Sequence, residues 1–170
     1  MITIPNILTF LRILIIPFYS FFLIKGEFKW ALLLFIISAI SDILDGHLAR
    51  KLNQVSNLGK ILDPISDKII ILISIIYFAI KNYLPPFLVI ILFLKEILML
   101  IFGLFFLIKK IEIVSSRVYG KLATTFISIS VIMILLNIPY GDVIFFIGFI
   151  FSISAGLDYL FIYIKKFKFS

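Results

Sequence analysis

The chain has 170 residues, of which 63% are hydrophobic, 16% aromatic and only 15% charged. Soluble domains are roughly 45–50% apolar and about 25% charged, so this chain carries more apolar surface than one small core can hide. The composition excludes a soluble enzyme, a disordered chain and, since no cysteine is present, a disulfide scaffold. The net charge of +7 is typical of a membrane protein whose basic loops contact anionic headgroups, and no nucleic-acid partner is expected.

Six stretches are long and apolar enough to cross a bilayer, which takes about 20 residues per helix. They cover residues 7–24, 30–50, 59–81, 87–107, 119–136 and 143–164. The breaks between them carry turn residues or charges, at 25–27, 82–86, 109–110 and 137–142. Because six such helices use nearly the whole chain, we predict one all-α integral membrane domain over residues 1–170.

The distribution of basic residues predicts the orientation in the membrane. One side, formed by the chain ends and the loops after the second and fourth segments, holds Arg50, Lys51, Lys60, Lys109, Lys110, Arg117, Lys121, Lys165, Lys166 and Lys168. The opposite side holds Lys25, Lys29 and Lys81. By the positive-inside rule, both termini face the cytoplasm and the protein is a multi-pass protein of the cell (inner) membrane.

Four acids lie in the second and third apolar segments, where a charge costs about 2.5–3.5 kcal/mol on insertion scales. Asp42 and Asp45 are three residues apart, and Asp63 and Asp67 are four apart, so each pair shares one helix face. A tight hairpin would bring the two faces together near the cytoplasmic side. Four ionised carboxylates repel one another, and two divalent cations, Mg²⁺ or Mn²⁺, are the natural compensation. The alternative is simple ion pairing with Arg50, Lys51, Lys60 and Lys68.

The same acids belong to a longer motif, D-x2-D-G-x2-A-R-x8-G-x3-D-x3-D, which runs from Asp42 to Asp67. At all eight fixed positions it resembles the motif of the CDP-alcohol phosphatidyltransferase family. That resemblance implies the six-span fold of the family, with an active site facing the cytoplasm, and usually a homodimer. It also implies that the four acids hold two divalent metals and that Asp67 serves as the general base.

The residues between the two acid pairs suit a nucleotide. Gly46 and Ala49 are small enough for close approach to the backbone, and Arg50 can bind a phosphate oxygen bidentately. By the same resemblance, Ser56 and Gly59 lie beside the nucleotide of CDP-diacylglycerol. For Gly46 and Gly59 taken singly, the alternative is close helix packing.

The acceptor is indicated by the rest of the chain. The opening residues and the segment around Asn53 resemble the phosphatidylglycerophosphate synthase branch, whose acceptor is sn-glycerol 3-phosphate. Arg117 and Lys121 would bind its phosphate; the alternative is ordinary loop charge. Lys95-Glu96 and the run 120–125 also resemble the cardiolipin synthases, whose acceptor is phosphatidylglycerol. Another alcohol acceptor is a further alternative.

Three polar residues of the first segment, Asn6, Thr9 and Arg12, fall close to one helical face. They could close the active site from the side. The alternative is an interfacial turn whose Arg12 extends toward the headgroups. A different class of function, a divalent-metal transporter that conducts through the four acids, is disfavoured because the last three segments offer no ladder of acids across the membrane.

Overall fold

The structure is a computed structural model that describes the backbone of residues 4–52, 59–108 and 118–168, and the side chains of residues 11–41, 68–99, 101–102 and 118–160. These residues form six α-helices: α1 Ile4–Ile24, α2 Phe28–Leu52, α3 Gly59–Ile80, α4 Pro86–Ile108, α5 Val118–Leu135 and α6 Gly141–Lys168. No strand occurs among the described residues. The six predicted helices are confirmed, and the largest boundary difference is at α6, which continues past residue 164 to Lys168.

Within the described part of the chain, two helices have the length and apolar character needed to cross a membrane, Val118–Leu135 and Gly141–Leu160. Shorter apolar helices occupy Leu11–Ile24, Phe28–Ser41 and Lys68–Ile80 within the described residues. The number of spans and the side on which the termini lie stay predictions.

Three helices end in left-handed residues that satisfy their last carbonyl groups. Gly26 follows α1 with φ 75°, Asn82 follows α3 with φ 60°, and Asn137 follows α5 with φ 55°. The next residue then donates back across the turn, as from the Glu27 amide to the Phe22 carbonyl at 3.0 Å. This is the Schellman arrangement, in which glycine and asparagine tolerate positive φ. The predicted breaks at 25–27, 82–86 and 137–142 are thereby confirmed, except that Pro86 and residues 141–142 already belong to α4 and α6. Lys109 and Lys110 lie outside the described residues.

The chain divides into two compact units. One comprises Met1–Tyr77 with Leu135–Asn137, and the other comprises Phe78–Ile134 with Ile138–Ser170. The prediction of a single domain over residues 1–170 stays a prediction.

In the first unit, α1 and α2 form a hairpin closed by the turn at Gly26, and α3 packs on both through one layer of contacts. The Tyr19 hydroxyl lies 2.5 Å from Oγ of Ser74, and the Tyr19 ring lies 6.2 Å from the Phe35 ring, centroid to centroid. Farther along, the Phe28 and Tyr77 rings are 6.5 Å apart. The start of α2 is thus beside the end of α3, so α2 runs antiparallel to both α1 and α3.

In the second unit, small residues allow α5 and α6 to pack closely. A Cβ added at Gly148 would lie 2.8 Å from Cγ1 of Ile127 and 3.0 Å from its backbone nitrogen. One end of this packing is fixed by Ser130, whose hydroxyl donates to the Gly141 carbonyl at 2.7 Å. A Cβ at Gly141 would likewise lie 2.8 Å from Cγ1 of Ile134, so both Gly141 and Gly148 on α6 leave no room for a side chain.

Candidate active site

The motif residues lie on two adjacent helices of the first unit. Asp42 and Asp45 lie in α2, and Asp63 and Asp67 lie in the first half of α3. Their side chains are outside the described part of the chain. Among the side chains that are described, no group of three or more His, Cys, Asp or Glu residues could hold a metal.

The faces of α2 and α3 on which these acids fall are buried farther along each helix. On α2 the buried positions are Ala31, Phe35 and Ser38, at 0%, 4% and 6% exposure, and the helical repeat continues this stripe through positions 42 and 45. On α3 the buried positions Ile70 and Ser74 continue back through positions 67 and 63. The four acids therefore occupy the helical positions that extend two buried stripes.

The contact layer of Tyr19, Phe35 and Ser74 fixes the register of these stripes. Asp42 is seven residues after Phe35 on α2, and Asp67 is seven residues before Ser74 on α3. Seven residues are two helical turns, about 10.5 Å of rise with a drift of only about 20°. Since α2 and α3 are antiparallel, positions 42 and 67 both lie on the side of these contacts that faces away from the Gly26 turn, on helices that each contact Tyr19. This register supports the predicted convergence of the acids.

The residues predicted to bind the nucleotide lie on the same two helices. Gly46, Ala49 and Arg50 lie in the last part of α2, and Gly59 begins α3. Ser56 lies outside the described residues. The roles of these five residues stay predictions, because the contacts of their side chains are outside the described part.

Arg12 is buried in the structure, with 1% of its surface exposed. An interfacial arginine that extends toward headgroups needs an exposed guanidinium, so the burial disfavours that alternative and favours the interior role. Asn6 and Thr9 lie on the same helix, with side chains outside the described residues.

The two residues predicted to bind the acceptor phosphate are near the start of α5. Arg117 lies outside the described residues, immediately before Val118. Lys121 lies in α5 with an exposed side chain, and its carbonyl accepts hydrogen bonds of 2.9 Å from the hydroxyls of Thr124 and Thr125. An exposed ammonium is available to an anion, which is compatible with both the acceptor role and ordinary loop charge.

A buried polar cluster joins α4 to α6 in the second unit. The Lys95 ammonium lies 2.5 Å from Oε1 of Glu96 and donates to Oγ of Ser152 at 2.8 Å. Sequence reasoning noted Lys95 and Glu96 only through their resemblance to relatives, and it missed Ser152. A serine within an apolar helix is a weak signal, and nothing in the sequence pairs it with a residue 57 positions away.

Beside this cluster, α4 and α6 leave an apolar groove of about 130 Å³. Lys95 lines one part of it with its hydrocarbon stem, and the rest is formed by Gly156 and by side chains such as Met99, Phe102, Ile153 and Leu157. A Cβ added at Gly156 would lie 3.5 Å from Cγ of Lys95, which is ordinary van der Waals contact.

Comparison with known proteins agrees with the motif. The family model described as CDP-alcohol phosphatidyltransferase matches residues 2–154. The chain is 35% identical to the CDP-diacylglycerol–glycerol-3-phosphate 3-phosphatidyltransferase of Aquifex aeolicus, over 79% of this chain and 77% of that protein. It is 28% identical to the protein of the same name from Bacillus subtilis, over 94% of each chain. It is also 38% identical to the cardiolipin synthase (CMP-forming) of Streptomyces coelicolor, over 59% of this chain and 49% of that protein.

The chain belongs to the CDP-alcohol phosphatidyltransferase family and is a phosphatidyltransferase. The expected family and the expected class of enzyme are thus confirmed, whereas the transporter alternative has no support. Members of the family are membrane enzymes and are generally dependent on divalent metals.

Proposed function

We propose that this protein transfers the phosphatidyl group from CDP-diacylglycerol to sn-glycerol 3-phosphate, releasing CMP and forming phosphatidylglycerophosphate. The observation that carries the proposal is similarity along most of the chain to two proteins named for that reaction. The positions of the acids support it, because they extend the buried stripes of two antiparallel neighbouring helices, α2 and α3.

The donor set fits two divalent cations. Carboxylate oxygens are the hard ligands that Mg²⁺ and Mn²⁺ prefer, and four negative charges match two such ions. Asp42, Asp45, Asp63 and Asp67 would hold them. When bound, the ions would neutralise the pyrophosphate of the donor and stabilise the charge that develops on the leaving group.

The protein's own residues then supply binding and proton transfer. Arg50 would bind a phosphate oxygen of the donor, while Gly46, Ala49, Ser56 and Gly59 leave room for the nucleotide. The acceptor hydroxyl oxygen attacks the phosphorus that carries the diacylglycerol, and the bond from this phosphorus to the oxygen of CMP breaks. The hydroxyl proton passes to the carboxylate of Asp67, which needs only to lie within hydrogen-bond reach of it.

A second candidate is the same reaction with phosphatidylglycerol as acceptor, which forms cardiolipin. The similarity to the cardiolipin synthase of Streptomyces coelicolor favours it, as does the resemblance of Lys95-Glu96 and of residues 120–125 to that branch. Because phosphatidylglycerol lacks a terminal phosphate dianion, the two candidates make different demands on Arg117 and Lys121.

The location follows from the same proposal. We infer six spans in the cell (inner) membrane, with both termini and the active site at the cytoplasmic side, because the basic residues collect there. We expect a homodimer with one active site in each protomer, since a chain of this size shields six helices poorly.

To test the proposed function, the protein is purified in detergent and supplied with CDP-diacylglycerol and one of several acceptors. The lipid products are then identified by mass. Phosphatidylglycerophosphate formed only with glycerol 3-phosphate is the expected result. Cardiolipin formed from phosphatidylglycerol would select the second candidate. The variant Asp63→Asn, which keeps the size of the side chain but removes its charge, is the matched control and should form neither product.

A further inference from the structure

Arg12 lies on the buried face of α1. It shares this stripe with Tyr19 and Leu23, which are seven and eleven residues farther along and are both 0% exposed. A guanidinium cannot lose its charge in a protein, and a buried charge without a nearby anion is strongly unfavourable. The burial of Arg12 therefore calls for an acidic group at its own level of the fold.

The contact layer of Tyr19, Phe35 and Ser74 shows where that level is. Because α1 and α3 both run antiparallel to α2, they run parallel to each other. Arg12 is seven residues before Tyr19, just as Asp67 is seven residues before Ser74, and Asp42 is seven residues after Phe35. Two helical turns of about 10.5 Å thus lead from Tyr19 to Arg12, from Phe35 to position 42 and from Ser74 to position 67, so α1 brings Arg12 near the level of each of these two positions.

The choice of acids in this unit is small. Residues 1–77 contain five acids, namely Glu27, Asp42, Asp45, Asp63 and Asp67. Glu27 is fifteen residues from Arg12 and lies in the turn at the opposite end of α1, about 22 Å away along the helix. Within residues 1–77 the four acids of the motif are the remaining candidates, and Asp42 and Asp67 are the two that the contacts of Tyr19 relate to Arg12 by seven residues.

We propose that Arg12 is a positioning residue of the carboxylate cluster, whose guanidinium holds the carboxylates of Asp67 and Asp42 in place and offsets part of their mutual repulsion. This inference deepens the proposed function and rests on it for the role of the cluster. It places the first helix in the active site as a structural part of the acid cluster, with the Tyr19–Ser74 hydrogen bond setting the register of α1 against α3.

The test is a double-mutant cycle on thermal unfolding, measured in detergent with EDTA and without substrate. Arg12→Met should lower Tm by roughly 10 °C in the original background, because it removes a buried cation that offsets the repulsion among the acids. In the Asp67→Asn background, Arg12→Met should lower Tm by at most half as much, since one repelling charge is already gone. Equal shifts in the two backgrounds would overturn the proposal.

Lys25→Met is the matched control, because Lys25 is an exposed cation at the other end of α1 and should show no coupling to Asp67→Asn. Should Arg12→Met fail to fold, Arg12→Lys replaces it in the cycle, and this conservative variant should retain part of the coupling.

In turnover assays Arg12→Lys should lower kcat while leaving the KM for CDP-diacylglycerol unchanged, whereas a purely structural defect would reduce the amount of folded enzyme. Since the cycle needs no substrate, an incorrect acceptor assignment would leave its outcome unaffected.

Discussion

The ammonium of Lys95 donates a hydrogen bond to the hydroxyl of Ser152 across two helices while it pairs with the carboxylate of its own neighbour, Glu96. The side chains of Lys95 and Glu96 are only 18% and 12% exposed, and Ser152 is 2% exposed. A charge pair so far inside an apolar unit persists only when each partner is satisfied, so these three residues act as one polar link between α4 and α6.

Removing the Glu96 carboxylate alone should lower the stability of the protein more than removing both Lys95 and Glu96. Glu96→Gln leaves the Lys95 ammonium without its carboxylate and should destabilise the protein by about 3 kcal/mol. The double variant Lys95→Met with Glu96→Leu removes both charges at similar volume and should unfold close to the temperature of the original protein. Thermal unfolding in detergent measures both, and a double variant less stable than Glu96→Gln would contradict the argument.

Two glycines of α6 should respond differently to the same substitution. Gly148→Ala places a methyl group 2.8 Å from Cγ1 of Ile127 and 3.0 Å from a backbone atom that cannot move aside, which should cost about 1–3 kcal/mol. Gly156→Ala meets only the stem of Lys95 at 3.5 Å and should be neutral or slightly stabilising, because alanine favours the helix. Comparable melting temperatures for the two variants would show that α5 and α6 do not approach as described.

The hydrogen bond between Tyr19 and Ser74 predicts an asymmetry between its two partners. Ser74 uses its only proton to donate to the Ile70 carbonyl at 2.7 Å, so the Tyr19 hydroxyl must be the donor to Ser74. Tyr19→Phe removes one bond and should cost about 1 kcal/mol, whereas Ser74→Ala leaves a buried hydroxyl without an acceptor and should cost about 2 kcal/mol. Ser20→Ala, which loses only a bond to Ile16 within its own helix, is the control in the unfolding series.

Activity should depend on divalent cations. Four carboxylates that converge as proposed need compensating charge, so EDTA should abolish turnover and Mg²⁺ or Mn²⁺ should restore it. Asp42→Asn should lose nearly all turnover while remaining folded, and without metal it should unfold at a higher temperature than the original protein, because one repelling charge is gone. Release of radiolabelled CMP measures turnover, and full activity in chelator would refute the metal proposal.

The acceptor site should respond to changes at α5. If the acceptor is glycerol 3-phosphate, Arg117→Ala or Lys121→Ala removes a charge-assisted contact and should raise the KM for glycerol 3-phosphate by at least tenfold, corresponding to about 1.4 kcal/mol or more. The KM for CDP-diacylglycerol should change much less. Equal effects on both substrates would indicate a nucleotide role or misfolding, and no effect would favour phosphatidylglycerol as the acceptor.

The helices could be predicted from the sequence because their apolar runs are long and their breaks contain residues such as Gly26 and Asn82, which accept positive φ. The helix ends in the structure differ from the predicted ones by a few residues, because capping residues determine where a helix begins. Pro86, for example, begins α4, although the apolar run begins at Phe87. The four acids could be identified because each pair shares one helix face and because a charge within an apolar segment is energetically unfavourable. Contacts between distant residues could not be predicted, since a serine at 74 or 152 gives no sign of its partner at 19 or 95.

The tight turn at Gly26 also bears on how the protein is made. All the backbone bonds that close this turn join residues between Phe21 and Ala31, so the first hairpin needs no segment synthesised later. A nascent chain can therefore fold α1 against α2 as soon as both have left the ribosome, and the pair can enter the bilayer together. With the proposed orientation, Asp42 and Asp45 then stay on the side where translation occurs, and neither carboxylate has to be translocated across the lipid.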